Sequence, residues 1–316
     1  MNPRIFIDGG SGTTGLEIRE RLEARSDLSL LRLSERDRKD TAARTAALND
    51  ADVVILCLPD DAARQAVALV ENPSVRIIDA STAHRTAAGW TYGFAELDPG
   101  QRERIRASAR VSNPGCYPTG FLALVRPLVR EGILPGDFPV TVNAVSGYSG
   151  GGKAMIAEFE DRDSPAFTET VVRSYALTLA HKHIPEMQIH SGLAHPPVFA
   201  PVVGRFYRGM LVEVPLQLWS LPGKPLVADI HRALVGAYRG EPLLEVAGLD
   251  EALLMSTLDV EMLKLTNGMK LFVFGNDKTQ QVRLVAVLDN LGKGAAGAAV
   301  QNLNLMLGIA ETTSLV

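Results

Sequence analysis

Apolar positions follow one pattern up to about residue 115 and another beyond it. Arg4-Ile5-Phe6-Ile7-Asp8 reads as a short buried strand. Leu16, Ile18 and Leu22 then fall on or near one helical face, with polar residues between. A second strand runs from Leu28 to Leu33. The near-continuous apolar run Asp52–Leu58, stopped by Pro59, fits a parallel strand covered on both faces. Val75–Asp79 is a further strand and leads into Ala80-Ser81-Thr82-Ala83-His84-Arg85. Strands alternating with helices over residues 1–115 predict a doubly wound parallel sheet, with ligands beyond its strand C-termini.

After Cys116 the strand signals are those of a different sheet. Val140–Val145 alternates as a strand and enters Ser146-Gly147-Tyr148-Ser149-Gly150-Gly151-Gly152-Lys153, followed by a helical stretch from Ala154. Val212–Leu218 is a strand whose Pro215 suits an edge. Leu263–Val273 reads as a hairpin around Asn267-Gly268, and Val282–Leu288 as another strand. These predict a mostly antiparallel sheet in an α+β domain over 116–289. The segment from Asp289 reads as a turn and then a small-residue helix. It is expected to complete the first domain over 290–316, with Asn290 and Gly292 beside a cofactor. The fold class is therefore α/β, a Rossmann-like parallel sheet plus an α+β catalytic domain.

Composition narrows the function classes. The 316 residues carry a net charge of −4, which gives no reason to expect nucleic acid. Two cysteines cannot build a disulfide framework. The N-terminus enters a strand without a signal peptide's apolar core, and no apolar run is long enough to span a bilayer. A cytoplasmic protein is the expectation.

Two turns carry candidate chemistry. Gly9-x-x-Gly12-x-x-Gly15, between strand and helix, is a variant of the dinucleotide fingerprint, with Ser11, Thr13 and Thr14 in the same loop. Glycine lets the backbone approach a pyrophosphate, and a helix start supplies free N–H donors. At the end of the second strand, where an NAD-binding unit places an acidic residue, stands Ser34. Arg36, Arg38 and Lys39 lie just beyond. A hydroxyl with guanidinium groups suits a 2′-phosphate, hence NADP(H) over NAD(H). A one-residue shift brings Glu35 into that place instead. Cys57, Pro59 and Ser81 belong to strand ends facing the same crevice, with Cys57 packed within its strand.

The second turn is Ser112-Asn113-Pro114-Gly115-Cys116-Tyr117-Pro118-Thr119-Gly120. It places Cys116 between an extended run and a helical one, where backbone N–H groups favour a thiolate. The plainer alternative is a buried cysteine acting as a small hydrophobe. Farther on, Ala180-His181-Lys182-His183-Ile184-Pro185-Glu186 sets two histidines beside a Pro-Glu. Imidazole suits the base that a cysteine nucleophile requires. Two histidines also raise the question of metal, but further ligands at zinc spacing are lacking, so no metal is expected.

These segments together resemble N-acetyl-gamma-glutamyl-phosphate reductase of the aspartate-semialdehyde dehydrogenase superfamily, in its shorter variety. The resemblance rests on Ser112–Gly120, the Gly9–Gly15 loop, Ser146–Lys153, His183–Glu186 and Asn290–Gly297, in family order. Pro118 departs from the Ala of the nucleophile motif, and His84-Arg85 from the Asp-Phe-Arg of longer members. The resemblance implies NADPH-dependent reduction of N-acetyl-L-glutamyl 5-phosphate to the semialdehyde through a Cys116 thioester. His183 would be its acid–base partner and Glu186 its orienting or substrate-reading residue. Arg85, Asn113, Ser146 and Lys153 are the candidate substrate contacts, and a homo-oligomer, dimer or tetramer, is expected. A reductase of a carrier-bound acyl phosphate and a non-redox cysteine acyltransferase or hydrolase are the competing readings.

Overall fold

The structure is a computed structural model, and it describes residues 2–315. The chain forms two compact units, one of residues 2–95, 99–115 and 295–315, the other of residues 96–98 and 116–294.

The first unit holds six parallel strands: β1 (Arg4–Asp8), β2 (Ser29–Leu31), β3 (Val53–Leu56), β4 (Arg76–Asp79), β5 (Thr91–Tyr92) and β6 (Arg110–Ser112). Their spatial order is β2-β1-β3-β4-β6-β5. The order reverses at β1/β3, the switch point beyond whose strand ends such sheets bind ligands. All four residues of β3 are buried, which accounts for the unbroken apolar run. The second strand is shorter than its apolar run. Leu16 also differs from expectation: it is 40% exposed, and Gly15, Ile18 and Leu22 form the inner face of helix Thr13–Glu23. Gly15 takes the inner place because the helix starts against the β1 turn. The helix Gly297–Leu307 belongs to this unit and packs on β4 and on helices Thr13–Glu23 and Gln101–Ala107.

The second unit carries seven strands: β7 (Thr141–Gly147), β8 (Val172–Ser174), β9 (Val198–Gly204), β10 (Met210–Gln217), β11 (Leu244–Val246), β12 (Met269–Asn276) and β13 (Gln281–Leu288). Their order is β11-β12-β13-β10-β7-β9-β8. Only β11/β12 and β7/β9 pair in parallel among the described residues. Pro215 lies in a central strand rather than an edge. It is tolerated because β7 pairs with β10 only as far as Glu213, so no partner waits for the missing N–H.

The expected hairpin at Asn267-Gly268 does not form. β12 begins at Met269 and has β11 on one side and β13 on the other, leaving no edge for a preceding strand. Leu263–Thr266 forms turns instead, with Leu265 at φ 65° and 72% exposed. The hairpin actually joins β12 to β13.

Helix Cys116–Arg130 packs on β10 and β13 and buries Phe121, Leu122, Leu124, Val125 and Leu128. Pro118 lies in its first turn, where an N–H has no intrahelical acceptor anyway. Pro127 lies inside the helix and leaves the Ala123 carbonyl without its usual donor. The Tyr238 hydroxyl fills that place, donating to Ala123 O at 2.8 Å.

Candidate active site

Cys116 is the first residue of its helix, directly after the turn that follows β6. The helix is 15 residues long, so its N-terminal N–H groups and dipole favour a sulfur anion at this end. Gly294 is the close neighbour: a Cβ built there would lie 2.8 Å from the Cys116 Cβ. Any larger residue would displace Cys116. Neither cysteine forms a disulfide. Cys57 differs chemically, because burial pushes its thiol up to about 12, with Asp79 and Asp8 adding to the shift.

Tyr117 follows Cys116 and is nearly fully buried, at 4% exposure. Its ring lies 5.9 Å from that of His183, 6.0 Å from that of His181 and 5.0 Å from that of Phe199, all edge-on. Its hydroxyl shares a 2.9 Å hydrogen bond with Tyr175. Burial pushes the Tyr117 hydroxyl well above its ordinary value and the Tyr175 hydroxyl to about 12; nearby Cys116 adds to both shifts. Both hydroxyls therefore stay protonated at working pH.

His183 immediately precedes helix Ile184–Ser191, which begins Ile184-Pro185 and packs on the nucleophile's helix. His183 and Glu186 are buried, at 6% and 1% exposure. His181 is pushed down to about 4, first by burial and then by the Lys182 charge. It is a neutral imidazole at working pH, and its Nδ1 accepts the His183 N–H at 3.2 Å.

The loop after β7 lies alongside residues 206–209. Gly147 N–H donates to Gly209 O, Tyr148 N–H to Phe206 O and Ser149 N–H to Tyr207 O, at 3.0–3.1 Å. This brings Arg208 beside the loop, with its Nη1 3.5 Å from the buried Asp289 carboxylate. Ser146 is buried, and its hydroxyl also hydrogen-bonds Tyr117. Lys153 is exposed in the first turn of helix Gly152–Glu160.

Four candidates have partners within the protein. Asn113 is 1% exposed, its Nδ2 donates to Ala295 O, and its Oδ1 accepts from Asn302. Asn290 is likewise hydrogen-bonded within the protein. Its Oδ1 accepts the Gly209 N–H and its Nδ2 donates to Ser149 Oγ, at 1% exposure. Gly292 packs against the Thr266 carbonyl and donates its N–H to Asp289. Arg85 is buried, with Nε on Asn113 O at 2.9 Å and Nη2 on Ala80 O at 3.1 Å, so its guanidinium holds the turn after β4. Ser81 in that turn donates to Asp79, which also takes His84 Nδ1 at 2.6 Å.

In the first unit a cleft of about 820 Å³ opens at the ends of β1 and β2, lined by Gly9, Gly10 and Ser11 and by Arg19, Arg38, Lys39 and Arg44. Gly9 has φ 81°, and Gly12 N–H donates to Gly9 O at 3.0 Å. A Cβ at Gly15 would meet Gly9 O at 2.6 Å, so Gly15 is demanded by packing. A Cβ at Gly12 meets nothing nearer than 3.5 Å. The chain itself does not require that glycine, which fits a backbone approached by a phosphate. Thr13 and Thr14 open the helix, and Pro59 precedes helix Asp60–Ala68. The Ser34 hydroxyl donates to Asp37 at 2.7 Å. Neither Ser34 nor Arg36 lines the cleft, whereas Arg38, Lys39 and Glu35 do.

Sequence reasoning missed Tyr117, Tyr175, Arg19, Arg44 and Arg208. Tyr117 lay inside the quoted nucleophile motif, but the others stand in no motif that would have marked them. Among the described residues no group of His, Cys, Asp and Glu could hold a metal ion. No described helix is long and apolar enough to cross a membrane.

Comparison with known proteins agrees with this geometry. Residues 4–107 match the family model "Semialdehyde dehydrogenase, NAD binding domain", and residues 116–290 match "Semialdehyde dehydrogenase, dimerisation domain". N-acetyl-gamma-glutamyl-phosphate reductase 2 of Nostoc sp. is 54% identical, over 99% of each chain. N-acetyl-gamma-glutamyl-phosphate reductase of Brucella ovis is 55% identical, over 98% of this chain and 100% of that one. The chain belongs to the N-acetyl-gamma-glutamyl-phosphate reductase family. Among solved structures, aspartate semialdehyde dehydrogenase II of Vibrio cholerae shares the fold of this reductase family member. Its TM-score is 0.74 at 16% identity, covering 98% of this chain and 99% of the other.

Proposed function

We propose that this protein reduces N-acetyl-L-glutamyl 5-phosphate to N-acetyl-L-glutamate 5-semialdehyde, releasing phosphate, as a step of arginine biosynthesis. The carrying observation is Cys116 as the first residue of a helix, next to Tyr117, whose ring packs on His183, in a chain that is 54% identical to a reductase of that name. The thiolate of Cys116 attacks the acyl carbon, the S–C bond forms and the C–O bond to phosphate breaks. His183 accepts the thiol proton during attack and passes it to the departing phosphate. Bound nicotinamide supplies the hydride that a thioester, unlike a carboxylate, accepts readily. His183, reprotonated from solvent, then protonates the thiohemiacetal oxygen and takes that proton back as the C–S bond breaks, releasing the aldehyde and the Cys116 thiolate. General acid–base help of this kind contributes roughly a hundred- to ten-thousand-fold. Glu186 orients His183 or reads a donor on the substrate. Ser146, Lys153 and Arg208 are the polar and cationic groups beside the loop after β7, suited to the substrate's anionic ends.

The cofactor reading is NADP(H). Gly9, Ser11, Gly12 and the helix start at Thr13 would hold the pyrophosphate, and Arg38, Lys39 and Arg19 the 2′-phosphate. Lys39 and Arg19 both line the cleft. A homo-oligomer formed through the second unit is supported by its match to a dimerisation domain.

The test is the reverse reaction with N-acetylglutamate semialdehyde, phosphate and NADP. Wild type should form NADPH only when phosphate is present, and Cys116→Ser should not. No phosphate-dependent NADPH formation by wild type would sink the assignment. Equal rates for Cys116→Ser would remove Cys116 as nucleophile.

A further inference from the structure

We propose that the hydrogen bond between the Tyr117 and Tyr175 hydroxyls is a latch that positions His183 for the Cys116 chemistry. The inference rests on the catalytic reading of Cys116 and His183 above.

Both histidines lie on residues 175–183, between β8 and the helix beginning at Ile184. Two non-glycine residues of this segment, Ala176 (φ 54°) and Leu179 (φ 56°), hold left-handed backbone. Such conformations persist where surrounding structure enforces them, and they gather at functional sites. The far end of the segment is held by Ile184 N–H on His181 O at 3.0 Å and by Met187 N–H on His183 O at 3.0 Å. At the near end, Tyr175 N–H reaches Pro201 O at 3.2 Å, and the Tyr175 hydroxyl donates to the Tyr117 hydroxyl at 2.9 Å.

Tyr117 is suited to receive that tether. It sits in the first turn of the nucleophile's helix, so its backbone is fixed with Cys116. Its ring packs on both imidazoles and on Phe199, and the His181 and His183 rings are themselves 4.8 Å apart. One side chain thus joins the nucleophile's turn, the acid–base residue and the start of the strained segment. Neither hydroxyl ionises near neutral pH, so the latch keeps its form across the working range. The tyrosines act through His183 and are positioning residues.

The experiment is a double-mutant cycle of Tyr117→Phe, Tyr175→Phe and the combined variant in the full-length protein. Both substitutions keep the rings and remove one hydroxyl each. Each single variant should lower kcat about three- to tenfold, the worth of one positioned hydrogen bond, with the KM for semialdehyde within about twofold. Tyr117→Phe also gives up the bond to Ser146, so the double variant should lose no more than Tyr117→Phe, in which the tyrosine–tyrosine bond is already gone. Amide exchange over residues 176–182 should quicken in Tyr175→Phe, while pH-dependent alkylation of Cys116 stays as in wild type. Multiplying losses in the double variant, or a change in KM alone, would overturn the latch. So would unchanged kcat in both single variants. If Cys116→Ser kept full activity, the catalytic reading itself would fail, a result distinct from any outcome of the cycle.

Discussion

Lys293 Nζ lies 2.8 and 2.9 Å from the two carboxylate oxygens of Glu96, and the two residues are 1% and 5% exposed. The pair ties residues 96–98 to the turn that carries Gly294 against Cys116. Removing one partner leaves a buried charge without compensation. Lys293→Met should therefore cost about 3–5 kcal/mol of stability, read from urea denaturation. The double variant Lys293→Met with Glu96→Gln should recover much of that loss. A double variant as unstable as the single one would show that shape, not charge, dominates here.

The two inner glycines of the N-terminal loop should separate packing from ligand binding. Gly15→Ala brings a methyl within 2.6 Å of Gly9 O and 2.7 Å of the Gly10 Cα, so it should cost about 1–3 kcal/mol of stability. Gly12→Ala has room and should melt close to wild type, yet bind NADPH more weakly. Melting curves and a fluorescence titration of NADPH check both halves.

Lys39 should set the preference between nicotinamide cofactors. Lys39→Ala should weaken NADPH binding about ten- to a hundredfold, the range for a charged hydrogen bond, and leave NADH binding within about twofold. Calorimetric titration with both cofactors is the check. Equal losses for the two would place Lys39 away from the 2′-phosphate.

Burial, with Lys182 adding, holds His181 down to about 4 in the folded chain, against 6.5 for an ordinary histidine. Between these values the unfolded chain binds the proton and the folded one does not. Stability is thus fully present above about pH 6.5 and is lost as pH falls towards 4. With partial exposure discounted, the contribution is about 2 kcal/mol. His181→Gln should show a shallower fall in urea midpoint between pH 7 and pH 4.5 than wild type. Parallel curves would mean that His181 does not carry the slope.

Local pattern gave the architecture where it was periodic and punctuated. The unbroken run at Val53–Leu56 and the alternation in β7 each met a sheet of the expected kind. The Asn267-Gly268 hairpin failed because turn chemistry says that a chain can reverse, not that a neighbouring edge is vacant. That edge of β12 belongs to β11. Spacing along the chain likewise does not show that the Ser34 hydroxyl donates to Asp37, three residues on.

The sequence by itself determined the parallel sheet, the glycine turn after β1 and the place of Cys116 at a helix start. Each follows from residues adjacent along the chain, through backbone sterics and burial period. The tertiary structure decided what each polar side chain bonds. Asn113 meets Ala295 across 182 positions, Asn290 meets Gly209 across 81, and Lys293 meets Glu96 across 197. An asparagine in a turn can satisfy a ligand or a distant carbonyl equally well. Which one it meets depends on what folding brings within 3 Å, and spacing along the chain does not encode that.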